Sequence, residues 1–192
     1  MQLLIIDNGS IHIDEIIKYL RNRKIKLIVL PYNQINLASV DTFDGVILSG
    51  SSSLSVNHKR EYKKEIKLIK TTKKPILGIC LGFELICSSF NETVIRFNRK
   101  VSAITKIEII IPDSIIEHIK TDFKAYESHR WGVNTTNHLI SIAKSKKCIE
   151  IVKHKSKLIY GVQFHPEHFI SKTQGYKILD NFIKIVKNIN KL

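Results

Sequence analysis

The sequence predicts an α/β fold: an open, largely parallel twisted sheet with helices on both faces and a small antiparallel portion. In the first half, short apolar runs alternate with stretches of helical spacing, which is typical of parallel βαβ units. After about Arg99, apolar runs follow one another without long helices between them, and these add the antiparallel portion. A length of 192 residues suits one domain, so we expect a single domain over residues 1–192.

The elements of the first half follow from the apolar pattern. Almost continuously apolar runs, typical of strands buried on both faces, predict strands at residues 3–6, 26–30, 46–49 and 76–79. Apolar residues at helical spacing predict helices at 13–23 and 62–69, and a third helix is expected to begin near Gly82.

In the second half, strands are predicted at residues 104–111, 124–127, 139–143, 149–153 and 158–164. The last stretch, 173–189, has helical spacing. Because reactive groups of open α/β sheets sit at the carboxyl ends of the strands, we search for chemistry there.

Composition excludes several classes of function. The chain has a net charge of +14, but its lysines are scattered over predicted helix faces without interleaved aromatic residues, so an acidic protein partner is favoured over nucleic acid. No apolar run is long enough to span a membrane, and the first residues do not resemble a signal peptide, so we expect a cytoplasmic location. The three cysteines predict neither a disulfide framework nor a metal site.

The strand at 76–79 ends in a turn that exposes a cysteine. Cys80 stands between Gly78 and Gly82, and a Gly-x-nucleophile-x-Gly turn holds a nucleophile above the sheet in a strained conformation. The helix that follows points its N-terminus at the sulfur, which favours the thiolate. The alternative is a buried structural cysteine in a glycine-rich turn.

The strand at 158–164 ends in a histidine and a glutamate. In an extended segment His165 and Glu167 project to the same side, so Glu167 can orient one ring nitrogen while the other faces a thiol. Pro166 fixes the backbone between them. A lone His-x-Glu would indicate a surface turn, but the cysteine elbow favours a nucleophilic triad.

Together these segments resemble the class I glutamine amidotransferase family, whose fold is flavodoxin-like. The family carries Gly-x-Cys-x-Gly at the nucleophile and Gly-Val-Gln-Phe-His-Pro-Glu at the base, and the second motif is complete here at residues 161–167. The resemblance implies Cys80 as nucleophile, His165 as general base and acid, and Glu167 as the residue that orients His165. It implies glutamine as substrate, no cofactor, and transfer of ammonia to an ATP-dependent synthetase.

The resemblance also implies the remaining site residues. We expect the backbone N–H groups of Leu81 and Ser51 to form the oxyanion hole. Gly50 and Glu84 are expected to contact the substrate, and Ser128 and His129 to help hold its α-amino and carboxylate groups.

The acceptor of the ammonia is indicated by weaker signals. The segment Glu127-Ser128-His129 is similar to the Glu-Ser-His of GMP synthase amidotransferase subunits, especially free-standing archaeal ones. That similarity favours a synthetase of the ATP-pyrophosphatase type, which converts XMP to GMP. An amidotransferase of another pathway, such as anthranilate synthase, is an alternative.

Three departures from the family pattern keep other functions open. Ser51 and Ser52 replace the usual Gly-Pro of the oxyanion loop, and Glu84 replaces a glutamine that normally contacts the substrate. Arg130-Trp131 replaces a segment that normally faces the synthetase. The rival functions are a γ-glutamyl hydrolase of the same fold and a non-catalytic protein that only binds a partner.

Overall fold

The computed structural model describes residues 1–58, 60–119 and 122–189, and nine strands in these ranges form one sheet. The strands are β1 (Gln2–Asp7), β2 (Lys26–Pro31), β3 (Gly45–Leu48), β4 (Ile76–Ile79), β5 (Ile95–Ile109), β6 (Asp122–Gly132), β7 (Leu139–Lys144), β8 (Ile149–His154) and β9 (Ile159–Val162). Their order across the sheet is β2-β1-β3-β4-β9-β8-β7-β5-β6.

Four α-helices are found in the described ranges: α1 (Ile13–Arg21), α2 (Lys63–Thr71), α3 (Leu81–Ser89) and α4 (Tyr176–Ile189). Single 3₁₀ segments occupy Tyr32–Gln34, Leu37–Thr42 and Ser114–Ile116. Helices α1, α2 and α4 lie where apolar spacing predicts a helix, and α3 follows the glycine-flanked turn as expected. The predicted ends lie within three residues of the observed ones, because the end of a helix depends on local capping more than on periodicity.

The first five strands in this order, from β2 to β9, pair in parallel. The sequence predicts this for β1 to β4, whereas β9 comes from the second half of the chain, where the sequence predicts the antiparallel portion. Alternate residues of β1 face opposite sides, so Leu3 and Ile5 join one apolar cluster while Leu4 and Ile6 join the other. Helices α1 and α4 cover the first face and α2 and α3 the second. The α/β class with helices on both faces is therefore confirmed.

The antiparallel portion is larger than the sequence predicts. It contains β8, β7, β5 and β6, which pair in antiparallel fashion with one another and with β9. Strand β5 begins at Ile95 rather than at residue 104, and β6 continues to Gly132 rather than ending at residue 127. The β5 extension is mostly polar and exposed, and the β6 extension is mostly polar, so neither has an apolar run that predicts a strand.

The sheet positions the reactive segments at one edge. The loops after β1, β3, β4 and β9 all leave from the carboxyl ends of neighbouring parallel strands. The far end of the sheet curls, because Val133 after β6 bridges Ile149 of β8 although two strands separate β6 from β8 in the sheet order. None of the helices in the described ranges combines the length and the apolarity needed to cross a bilayer.

Candidate active site

Cys80 stands at the N-cap of α3 in a strained conformation, with φ 52° and ψ −102°. The flanking glycines are required by close packing: a Cβ on Gly78 would lie 2.5 Å from the backbone of Gly82, and one on Gly82 would lie 2.4 Å from the carbonyl oxygen of Leu48. The elbow predicted from the sequence is therefore present, and the helix begins at Leu81, directly after the cysteine. This geometry holds the sulfur at the positive end of the helix dipole.

His165 and Glu167 form a buried pair. The Nδ1 of His165 lies 2.9 Å from Oε1 of Glu167, and both residues are almost completely buried. The backbone N–H of His165 donates to the carbonyl of Tyr126 on β6 at 2.8 Å. The segment is not extended as the sequence predicts, because β9 ends at Val162 and the chain turns at Pro166 and Glu167.

Gly50 marks the point where the cysteine and the histidine meet. A Cβ on Gly50 would lie 3.2 Å from Cε1 of His165 and 3.3 Å from Cβ of Cys80. A side chain at this position would push into both residues, so glycine is needed here for close approach. Two segments far apart in sequence thus converge on one point at the rim of the sheet.

The environment of His165 favours its protonated form. Burial alone would lower the pKa of His165, but the charges of Glu167 and Cys80, together with hydrogen bonds to both side chains, raise that pKa well above its ordinary value. A histidine that accepts the proton of a thiol needs this kind of stabilisation by neighbouring negative charge. His165 is therefore suited to accept a proton from the neighbouring thiol.

A cavity of about 420 Å³ opens above the triad. Most of the residues that the sequence assigns to catalysis or substrate binding line it: Ser51, Cys80, Leu81, Glu84, Ser128, His129 and His165. Glu167 lies behind His165, and Gly50 lies beneath the contact between Cys80 and His165. The structure thus brings the predicted site residues together.

The two N–H groups predicted for the oxyanion hole belong to residues that line the cavity together with Cys80. Leu81 is the first residue of α3, where a helix offers its own N–H groups no acceptor. The loop after β3 is braced by its serines: the hydroxyl of Ser51 accepts from the N–H of Leu54 at 3.1 Å, and the N–H of Ser52 donates to Gly9 at 3.0 Å. Serines therefore fix this loop without the usual glycine and proline.

Glu84 is almost completely buried on the wall of the cavity, one turn into α3. Burial raises the pKa of its carboxyl to about 7, although the charge of His129 and hydrogen bonds from Gln163 and from the backbone of Val56 lower it. The Nε2 of Gln163 lies 3.5 Å from Oε1 of Glu84. This carboxyl group therefore changes its charge near neutral pH within the cavity.

Ser128 and His129 come from β6, in the polar extension that hydropathy did not reveal. The carbonyl oxygen of Ser128 lies 3.9 Å from Sγ of Cys80. The His129 ring points away into the interior, where its Nδ1 donates to the carbonyl of Trp131 at 2.7 Å. Ser128 thus contacts the sulfur through its backbone carbonyl. The buried His129 side chain, bonded to the Trp131 carbonyl, helps to fix this part of β6.

Sequence reasoning missed a group of rings beside the triad. His12, which precedes α1, lines the cavity, and its ring centroid lies 4.9 Å from that of His165. Glu15 joins His12 to His168, since its carboxylate accepts from Nδ1 of both rings at 2.8–2.9 Å. The position of His12 in the loop after β1, at the same sheet edge as Cys80, is the signal that could have identified it.

Basic residues and an indole lie at the mouth of the cavity. Arg96 and Lys100 of β5 and Arg130 and Trp131 of β6 line it, and Arg96 pairs with Trp131 in the register of the two strands. Trp131 is half-buried against the apolar cluster of α2 and α3. The mouth is therefore positively charged, while Glu84 is the single carboxylate among the residues that line the cavity.

Comparisons with known proteins agree with this geometry. The family model "Glutamine amidotransferase class-I" matches residues 4–186. A subunit of the glutamine-hydrolysing GMP synthase of Methanocaldococcus jannaschii is 33% identical over 189 residues, covering 95% of this chain and 96% of its own. The corresponding GMP synthase subunit of Pyrococcus abyssi is 34% identical over 188 residues, covering 95% of this chain and 97% of its own.

Among solved structures, a Thermoplasma acidophilum protein described as a candidate GMP synthase subunit is similar over the whole chain. It superposes with a TM-score of 0.90 at 26% identity, and the match covers 100% of this chain and 96% of that one. The similarity therefore extends over both the parallel and the antiparallel parts of the sheet.

Proposed function

Because the chain belongs to the class I glutamine amidotransferase family, we propose that Cys80, His165 and Glu167 hydrolyse glutamine and that the ammonia passes to a GMP-synthase-type synthetase. One observation carries the chemical part of this proposal: a cysteine in a strained elbow meets a buried histidine that a glutamate orients at 2.9 Å. That arrangement is the nucleophile, base and orienting group of a triad.

The reaction follows from this arrangement. The Cys80 thiolate attacks the side-chain amide carbon of glutamine, and the developing oxyanion is stabilised by the N–H groups of Leu81 and Ser51. His165 gives its proton to the departing nitrogen, so ammonia leaves and a glutamyl thioester remains. His165 then takes a proton from water, the resulting hydroxide attacks the thioester, and glutamate is released as the thiolate is restored.

Substrate contacts are proposed for the cavity wall. Gly50 and the Ser128 backbone lie beside the sulfur, where they would position the carboxamide and the α-groups of glutamine. Glu84 lies on the same wall, where it would contact the bound glutamine, and His129 supports the Ser128 segment. The α-carboxylate of glutamine is attracted by the basic mouth of the cavity.

The proposal extends to the partner. The relatives' names place them in GMP synthase, so we propose a separate synthetase of the ATP-pyrophosphatase type that converts XMP to GMP. The basic residues around the mouth suit docking to an acidic surface of that synthetase. Ammonia released at Cys80 would then leave towards the docked synthetase.

The test is a glutaminase assay on the isolated chain and on its mixture with such a synthetase, XMP and ATP. We expect slow hydrolysis of glutamine alone, and a rate at least roughly tenfold higher when the synthetase and both nucleotides are present. Ammonium chloride in place of glutamine should support GMP formation by the synthetase with or without this chain.

The same assay separates the alternatives. Fast hydrolysis of several γ-glutamyl amides that does not respond to the synthetase would identify a γ-glutamyl hydrolase. Binding to the synthetase without any glutamine turnover would identify a non-catalytic partner. If a synthetase of another pathway stimulated glutamine hydrolysis and the GMP synthase type did not, the ammonia would be passed to that other synthetase.

A further inference from the structure

Four buried side chains outside the triad point at one another behind the cavity. Glu127 and His129 lie two residues apart on β6 and share one face of that strand. Cys148 directly precedes β8, and its side chain contacts that of Glu150 on β8. All four are at most 5% exposed. They meet where the sheet curls and β6 approaches β8, beside the bridge between Val133 and Ile149.

The donor atoms of this cluster are close together. The Nε2 of His129 lies 3.1 Å from Oε2 of Glu127, and Sγ of Cys148 lies 3.2 Å from Oε1 of Glu150. One donor atom each from His129, Cys148 and Glu150 fall within 4.8 Å of one another. The Nδ1 of His129 donates to the Trp131 carbonyl, and a backbone carbonyl at that nitrogen is the outer contact that metal-bound histidines usually make.

The cluster has more acidic groups than cations. Two carboxyl groups and one thiol surround a single imidazole, away from water. Within the described residues, Oε1 of Glu127 and Oε2 of Glu150 have no hydrogen-bond partner.

We propose that His129, Cys148, Glu150 and Glu127 bind one zinc ion or a similar divalent transition metal. Nitrogen, sulfur and carboxylate oxygen together suit zinc, whereas magnesium and calcium prefer oxygen alone. Ligand atoms around tetrahedral zinc lie roughly 3.3–3.8 Å apart, so the donors of His129, Cys148 and Glu150 need to move by only about an ångström. Glu127, which contacts His129 at 3.1 Å, would be the fourth ligand. Spacing in the sequence does not reveal this set because its halves come from separate strands.

The ion would connect β6 to β8, two strands that the sheet order does not pair. Ser128, whose carbonyl contacts Cys80, lies between two of the ligands, so the ion would also brace the wall of the cavity. A groove lined by Val101 and Ser145 reaches one residue of the cluster, Glu127. The proposal does not depend on glutamine as the substrate.

The test uses the full chain with Cys80→Ala, which removes the one cysteine that lines the cavity. Cobalt(II) added to metal-free protein should bind at one ion per chain and produce a thiolate-to-cobalt absorption band in the near ultraviolet. Cys148→Ser in the same background should lose the band, and the matched control Cys87→Ser should keep it. Chain purified from zinc-supplemented culture should contain about one zinc, and chelation should expose Cys148 to alkylation.

The controls separate this cluster from the rings beside the triad, which offer no sulfur. His168→Ala is expected to leave the band and the zinc content unchanged. A band that is absent from the Cys80→Ala protein, or zinc that is lost in His168→Ala and kept in Cys148→Ser, would overturn the proposal. If Cys148→Ser does not fold, the cobalt band and the chelator-dependent alkylation of Cys148 in its parent decide the question.

Discussion

At the scale of single residues, Glu84 is the side chain that most distinguishes this cavity. Its carboxyl is buried beside Cys80 and Leu81, and burial raises its pKa to about 7. The folded protein therefore keeps Glu84 largely neutral below this pH and negatively charged above it. A negative charge in the cavity opposes formation of the Cys80 thiolate, whose own charge has the same sign.

Glu84→Gln should therefore change the pH dependence of glutamine hydrolysis. At pH 8 we expect the variant to have a kcat/KM roughly three- to tenfold higher than the parent, because the opposing charge is gone, a gain of about 0.7–1.4 kcal/mol. At pH 5.5, where Glu84 is neutral, the two proteins should agree. The measurement is kcat/KM between pH 5.5 and 8.5, with the synthetase present.

A substitution of the exposed Glu61 by glutamine is the matched control, and it should leave the profile unchanged. If the ratio of kcat/KM between Glu84→Gln and the parent stayed constant from pH 5.5 to 8.5, the charge on Glu84 would not oppose the reaction. A lower kcat/KM of the variant at pH 8 would instead mean that the carboxylate assists binding of the α-ammonium group.

At the scale of elements, Glu92 links the end of α3 to the start of β7. Its buried carboxylate accepts from the backbone N–H groups of Asn137, His138 and Leu139 at 2.7–3.1 Å. Three consecutive backbone donors are thus paired with one side chain. The contact joins the parallel and antiparallel halves of the fold.

Glu92→Ala should lower the free energy of unfolding by roughly 2–4 kcal/mol, because it leaves these N–H groups without their charged acceptor. Glu108→Ala is the comparison: Glu108 is exposed and faces Lys144 at 3.9 Å, and such a surface pair contributes at most about 1 kcal/mol. Urea denaturation of the three proteins at pH 7 is the measurement. Equal losses in the two variants would refute the structural role of Glu92.

At the scale of the whole molecule, a buried carboxyl couples folding to pH. Glu65 of α2 is fully buried, and burial raises its pKa to about 8 even though a hydrogen bond from Asn8 lowers it. In the unfolded chain its pKa returns to the ordinary value of 4.5. The folded state retains the proton of Glu65 to a higher pH than the unfolded chain does. The contribution of Glu65 to the free energy of unfolding is therefore greatest below pH 4.5 and decreases progressively as the pH rises to about 8.

Glu65→Gln should therefore flatten the fall in stability across this window. The contribution of Glu65 to the slope is at most about 1.4 kcal/mol per pH unit, and the variant should gain most at pH 8, where the parent carries a buried charge. Chemical denaturation at intervals from pH 5 to pH 8.5 measures the difference. Equal slopes for the two proteins would show that Glu65 does not titrate in this window.

The strands of the parallel half could be predicted from the sequence because strands buried on both faces are continuously apolar. The helices could be predicted because their apolar residues recur at helical spacing. Sequence reasoning predicted that Cys80, His165 and Glu167 come together, because each follows a strand whose carboxyl end lies at the same sheet edge. It missed the extensions of β5 and β6, since their polar residues interrupt any apolar run. It also missed His12, Glu15 and His168, which only the tertiary fold brings together.

The account depends most on the chemical role of Cys80, and one measurement on the reconstituted pair tests it directly. The rate of GMP formation from XMP and ATP is compared for the parent and Cys80→Ala, with either glutamine or ammonium chloride as nitrogen source. We predict that Cys80→Ala abolishes the glutamine-dependent rate, by at least about a thousandfold, and leaves the ammonia-dependent rate within about twofold of the parent. A glutamine-dependent rate that survives the substitution, or an equal loss of both rates, would contradict the account.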